Sequence, residues 1–143
     1  MADPSTSDRM TVRDIELEVM RRGAGPAILA LHGMQTIDPA SRFVDLLARR
    51  AELIAPSHPG FGNSPRPADF DTVYDLVHLY LELLESLPHD KVTLLGFSFG
   101  GWLAAEIAAA CCHRVARLIL VDPLGIKLSG RETPDILDVF NTH

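Results

Sequence analysis

The tightest constraint on how this chain can fold is the run Gly96-Phe97-Ser98-Phe99-Gly100-Gly101, set between two segments of different period. Lys91 to Gly96 reads as a buried strand that runs into it, and Gly101 to Cys112, alanine-rich, reads as a helix that leads away. To pass from strand to helix in so few residues the backbone must turn sharply, and glycines are needed where any side chain would meet the neighbouring backbone. A serine at such a turn is exposed at the carboxyl edge of a sheet, beside helix N-terminal amides that can stabilise an oxyanion. Ser98 is therefore the candidate nucleophile, and Gly96 and Gly100 are the glycines that permit its turn. A purely structural Gly-Ser-Gly turn is the plainer alternative; the strand before and the helix after favour the nucleophile.

The remainder of the chain alternates strand and helix. Ile15-Glu16-Leu17-Glu18-Val19 has period two, Gly23 to Pro26 turns the chain, and Ala27-Ile28-Leu29-Ala30-Leu31 is continuously apolar, as in a strand covered on both faces. Asp38 and Pro39 predict the start of a helix that runs to Arg50, with Phe43, Val44, Leu46 and Leu47 at helical spacing. Leu53-Ile54-Ala55 is a short core strand followed by a loop rich in glycine and proline, Pro56 to Pro65. Thr72 and Asp75 form a capping-box pattern ahead of a helix whose apolar face carries Leu76, Val77, Tyr80, Leu81, Leu84 and Leu87, and Pro88 stops it. With Arg117 to Val121 as a last strand, the alternation implies an α/β fold with a mostly parallel sheet.

Composition narrows the function. The chain has 143 residues, with 13 Lys and Arg against 19 Asp and Glu, a formal charge of −6, and 47% apolar residues. The acidic balance leaves no basic stripe for a phosphate backbone, so no nucleic-acid partner is expected, and the apolar fraction is that of a folded domain. The two cysteines, Cys111 and Cys112, are adjacent; they lack the spaced partners of a zinc site and point to a reduced, cytoplasmic setting. The first ten residues lack the basic start and apolar stretch of a signal peptide. Val92 to Cys112 is of membrane length with Glu106 as its one charge, but Gly96, Gly100 and Gly101 interrupt it, so no membrane span is expected. The loop after Leu31 has Gly33 alone where a phosphate-binding Rossmann turn needs several glycines.

Three motifs taken in order, Leu31-His32-Gly33-Met34, Pro59-Gly60-Phe61-Gly62-Asn63-Ser64 and Gly96 to Gly101, make the chain resemble the α/β-hydrolase superfamily over nearly all of its length after residue 12. The resemblance implies that Ser98 is the nucleophile and that the backbone N–H groups of Phe99 and Met34 form the oxyanion hole. Residues 1–12 would then be a polar leader, 13–125 the N-terminal part of the hydrolase core, and 126–143 the start of a lid. The resemblance also implies a small-molecule substrate and no cofactor or metal. Related haloalkane dehalogenases and epoxide hydrolases carry an aspartate at this turn, so Ser98 points instead to cleavage of an ester or of a C–C bond beside a carbonyl. Phe61, Phe97, Phe99, Trp102 and Met34 suit an apolar acyl group.

A serine needs a base within hydrogen-bond reach. In the family that histidine follows the nucleophile, so His32 and His58 read as structural. His113 closes the helix that starts near Ser98, about 20 Å away at 1.5 Å per residue. His143 is the last residue. No catalytic histidine is therefore identified. Asp122 stands where some members place the acid, and its other reading is a loop cap. Because the family's members run to roughly twice this length, the chain is expected to be the front half of a hydrolase, truncated after the strand that follows the nucleophile helix. Residues 117–121 would then form an exposed apolar edge through which copies could self-associate. The second functional expectation is a catalytically incomplete chain that binds a ligand or pairs with a complementary fragment.

Overall fold

The structure, a computed structural model, describes residues 7–134. Six strands make one sheet: β1 (Ser7–Val12), β2 (Ile15–Arg22), β3 (Ala27–Leu31), β4 (Glu52–Pro56), β5 (Val92–Phe97) and β6 (Val115–Val121), in the spatial order β1-β2-β4-β3-β5-β6. β1 and β2 form an antiparallel hairpin and β2 runs antiparallel to β4, whereas β4, β3, β5 and β6 are parallel. The helices are α1 (Arg42–Ala48), α2 (Val73–Ser86) and α3 (Phe99–Ala110). This is the mostly parallel α/β sheet with flanking helices expected from the alternation.

Alternate residues of the central strands build two cores. Leu29, Leu31, Ile54 and Leu94 pack with Val77, Tyr80, Leu83 and Leu84 of α2 and Leu103 and Ile107 of α3. Ala30, Leu53, Ala55 and Leu95 pack with Val44 and Leu47 of α1 on the other face. Strands buried on both faces are what continuous apolar runs such as 27–31 require. The capping box at α2 is present: the Thr72 hydroxyl accepts from the Asp75 N–H at 3.3 Å, and the Asp75 carboxylate accepts from the Thr72 N–H at 2.7 Å. At the other end of α2, the Arg114 guanidinium donates to the carbonyls of Leu84, His89 and Asp90, which ties this helix end to the start of β6.

Two elements depart from the sequence reading. Residues 7–12, within the segment read as a leader, form a strand, because Arg13 and Asp14 take positive φ angles of 48° and 62° and close a tight hairpin. Such turns favour Asn and Gly, so Arg-Asp gave no signal. The first helix begins at Arg42 rather than Pro39. Asp38 is drawn into a turn in which its carboxylate accepts from the Ala40 N–H at 2.8 Å and its carbonyl from the Ser41 hydroxyl at 2.7 Å. Such local bonds compete with helix at Asp and Ser.

Among the described residues β6 forms one edge of the sheet, and Leu118, Ile119 and Val121 are about two-fifths exposed (40%, 44% and 39%). The membrane-length run 92–112 is divided at Ser98 between β5 and α3, and no described helix is long and apolar enough to cross a membrane.

Candidate active site

The turn between β5 and α3 is built by close backbone approach. A Cβ on Gly100 would lie 2.1 Å from the Leu31 carbonyl oxygen and 2.5 Å from that of His32; one on Gly96 would lie 2.4 Å from the Gly100 carbonyl oxygen. Neither obstacle is a flexible side chain, so both positions require glycine. Ser98 carries the remaining turn at φ 51° and ψ −115°, a conformation that costs a non-glycine residue roughly 1–3 kcal/mol. Its backbone is held on both sides: the Ser98 N–H donates to Val121 O at 2.9 Å, and Ser98 O accepts from the N–H groups of Gly101 (2.9 Å), Trp102 (3.3 Å) and Leu124 (3.0 Å). These backbone bonds leave the side-chain hydroxyl of the half-buried Ser98 uninvolved. Phe99 and Gly100, the first two residues of α3, have N–H groups with no intrahelical acceptor, as an anion-stabilising helix start requires.

The loop after β3 runs against this serine. A Cβ on Gly33 would sit 3.2 Å from Ser98 Cβ and 3.7 Å from Ser98 Oγ. Met34 follows with its side chain 77% exposed over the site. Behind the loop, His32 and His58 are buried, with ring centroids 3.8 Å apart. The His58 N–H donates to His32 Nε2 at 2.8 Å, His58 Nε2 reaches His32 O at 2.8 Å, and His32 Nδ1 reaches Gly33 O at 2.8 Å. The Tyr80 hydroxyl closes the chain at His58 Nδ1. Burial, reinforced by the neighbouring His32, pushes the His58 imidazole down to about 3; burial also lowers His32, against the opposing bond to Gly33 O.

The glycine-rich loop after β4 is fixed by a residue that sequence reasoning assigned only to a strand's alternation. The Glu18 carboxylate accepts from the Asn63 backbone N–H (2.9 Å), the Asn63 side-chain amide (2.8 Å) and the Ser57 hydroxyl (3.3 Å). These bonds, Asn63's first, hold the carboxyl below its ordinary value. Gly62 stands at φ 54°, where a side chain is strained, and a Cβ there would also displace the carboxylate, meeting Glu18 Oε2 at 2.4 Å. Tyr80 was likewise legible only as a member of an apolar face.

Two clefts open beside the turn. One of about 390 Å³ is walled by Met34, Phe61, Phe70, Leu76 and Phe99, with Arg66 on its lining. A smaller one of about 220 Å³ is walled by Gly33, Gln35, Thr36, Phe43 and Phe97. Trp102 lies lower on α3, under Gly125. Asp122 is exposed at the carboxyl end of β6 with φ 44°, and no described residue hydrogen-bonds its side chain, so the loop-cap reading finds no bond. His113 lies beyond the far end of α3, against Cys111 Sγ at 3.7 Å. There Glu85, Cys111 and His113 bring three metal-ligand types within 4.8 Å of one another, but Arg114 already pairs with Glu85 at 3.1 Å. Residues 135–143 of the expected lid, His143 among them, lie outside the described residues.

The family model of the alpha/beta hydrolase fold matches residues 26–141, and the chain belongs to that family. It is similar to 2-hydroxy-6-oxo-2,4-heptadienoate hydrolase of Pseudomonas putida, with 34% identity over 122 residues that cover 84% of this chain and 41% of the relative. It is also similar to Lipase LipV of Mycobacterium tuberculosis, 35% identical over 131 residues covering 88% of this chain and 48% of the relative. Among solved structures, a bacterial membrane phospholipase A superposes with a TM-score of 0.79 at 27% identity, over 85% of this chain and 41% of that one. The chain thus spans less than half the length of these relatives. Its resemblance to named hydrolases supports a hydrolase-type enzyme.

Two outcomes follow from this geometry. Ser98→Gly should raise stability to urea by about 1 kcal/mol, strain relief outweighing the added chain entropy, while Ser98→Ala should not; a Gly variant no more stable than the Ala variant contradicts the strain at this turn. Both buried histidines bind protons less readily in the folded chain than at their ordinary value of 6.5 in the unfolded one, and His58 does so only at about 3. The contribution of His58 to stability is therefore complete above pH 6.5 and falls as pH drops toward 3, at up to ~1.4 kcal/mol per pH unit, and the lowered His32 acts in the same direction. Denaturant melts between pH 7.5 and 5, above the carboxylate range, check this; a flat profile contradicts it.

Proposed function

We propose that this chain carries the nucleophile of a serine hydrolase that cleaves an ester, or a C–C bond beside a carbonyl, in a small and largely apolar substrate. The observation that carries the reading is the strained, glycine-walled turn that presents the Ser98 hydroxyl at the start of α3, against the Gly33–Met34 loop. Ser98 Oγ attacks the substrate carbonyl and its proton passes to a base. The oxyanion is held by the N–H groups of Phe99 and Met34, and the proton is delivered to the leaving group as the bond breaks. Water then attacks the acyl-enzyme, releasing the acid and restoring the serine. The apolar walls of the larger cleft suit the acyl group. The relatives' printed names, a dienoate hydrolase and a lipase, agree with both bond types. The base comes from outside the described residues, and a cytoplasmic setting fits the free thiols of Cys111 and Cys112.

Hydrolysis of a short-chain p-nitrophenyl ester by the 143-residue chain is expected to fall at least about 100-fold in Ser98→Ala. Equal turnover in the variant overturns the assignment. Folded protein that neither turns over ester nor reacts with a fluorophosphonate at Ser98 assigns the chain to the ligand-binding or fragment-pairing alternative.

We further propose that copies associate along β6, whose outer edge pairs with no other strand among the described residues and is flanked by exposed Leu118, Ile119 and Val121. Sedimentation of the chain is expected to show concentration-dependent association that Ile119→Lys reduces. A monodisperse monomer at every concentration contradicts it.

A further inference from the structure

We infer that His58 is a positioning residue for the oxyanion hole: together with Tyr80 it fixes the His32 ring, and through it the direction of the Met34 N–H. The inference rests on the serine-hydrolase reading above and adds to it a role for two buried residues that the chemistry does not otherwise use.

The heavy-atom geometry admits one proton assignment. The His58 backbone N–H can only donate, so His32 Nε2 must accept and the single proton of that neutral ring stands on Nδ1. Gly33 O can only accept, and His32 Nδ1–H meets it at 2.8 Å. His32 O likewise can only accept, so the proton of the His58 ring stands on Nε2, leaving Nδ1 to accept from the Tyr80 hydroxyl. Each member thus dictates the tautomer of the next, from Tyr80 on α2 through His58 and His32 to the loop.

The last bond is the one with a consequence for chemistry. Gly33 C=O and Met34 N–H belong to one planar trans peptide and point in opposite directions. Holding the carbonyl on His32 aims the N–H away from the histidines, on the loop that runs past Ser98, where a Gly33 Cβ would come within 3.7 Å of the serine oxygen. Oxyanion stabilisation depends on donors held in place before charge develops. The His58 ring, which holds His32, is itself held: Phe61 and Phe99 meet His58 edge-on at 6.1 and 6.0 Å, and Tyr80 is fully buried. The titratable groups facing His58 are His32, at the end of β3, and Tyr80, on α2; the glycine-rich loop and α3 present only Phe61 and Phe99.

Acid acts on the two rings differently. A second proton on His58 faces the Tyr80 oxygen, which can rotate its hydrogen away and accept. A second proton on His32 faces the His58 backbone N–H, which cannot turn, so two donors oppose each other and the clasp opens. His32 is therefore the acid-sensitive member.

The test is nitrogen-15 NMR of the intact chain beside Tyr80→Phe, with fluorophosphonate labelling of Ser98 in both. The unaltered chain should show His32 as the Nδ1–H and His58 as the Nε2–H tautomer, with the Met34 amide shift following His32 through an acid titration. Tyr80→Phe, shown folded by circular dichroism, should mix the His58 tautomers, speed Met34 amide exchange about tenfold and slow Ser98 labelling about as much. The opposite tautomers, a Met34 amide indifferent to His32 titration, or unchanged Met34 exchange in folded Tyr80→Phe overturns the inference. If the variant does not fold, the tautomers and the titration of the unaltered chain still decide. Absent labelling in both proteins with a responsive Met34 amide supports the positioning role and rejects the nucleophile, so the two readings fail separately.

Discussion

The site depends on one close contact, that of Gly100 with the carbonyls of Leu31 and His32. Because no side chain intervenes, α3 can begin directly beneath the end of β3, and the start of the helix, the serine and the Gly33–Met34 loop converge on one point at the carboxyl edge of the sheet. The cost is the strained backbone of Ser98. It is offset by four backbone hydrogen bonds, to Val121, Gly101, Trp102 and Leu124, and by the buried faces of β5 and α3 on either side. A side chain of any size at Gly100 would push helix from strand and dismantle all three at once.

Behind that edge the protein spends polar groups where apolar ones would fill the space as well. Two imidazoles, a phenol hydroxyl and two backbone carbonyls are buried together, and each is partnered, as burial of polar atoms demands. Their environment keeps both rings neutral near pH 7, so the network directs hydrogen bonds without introducing a charge that would compete with the oxyanion. On the opposite side of the glycine-rich loop the Glu18 carboxylate performs a similar fixing role through Asn63 and Ser57. The two loops that border the serine are thus each anchored by polar bonds to a strand or helix of the scaffold.

Much of this was legible in the sequence because the physics is local. The period of the apolar residues placed β3, β5, α2 and α3, and the glycine pair around Ser98 placed the turn. The hairpin at Arg13 and Asp14 was not legible, since it lacks the glycine that marks such turns and opens on an arginine at positive φ, and α1 starts later than Asp38 and Pro39 suggest because the bonds of Asp38 serve a turn. A structural role for His32 and His58 is legible in the sequence, but their mutual pairing spans 26 residues and involves a tyrosine legible only as part of an apolar helix face. Glu18 showed the same limit: alternation placed it on a strand, while its partner Asn63 lies 45 residues away. Long-range polar pairing leaves no periodic trace.

The most direct measurement is a crystal structure of the chain after reaction with a fluorophosphonate. The account predicts a phosphonyl group on Ser98 Oγ with one of its oxygens about 2.7–3.1 Å from both the Phe99 and Met34 nitrogens, and its organic substituent in the cleft bordered by Phe61, Phe70 and Leu76. An adduct at another residue, or one on Ser98 whose oxygen faces solvent away from both amides, would contradict it.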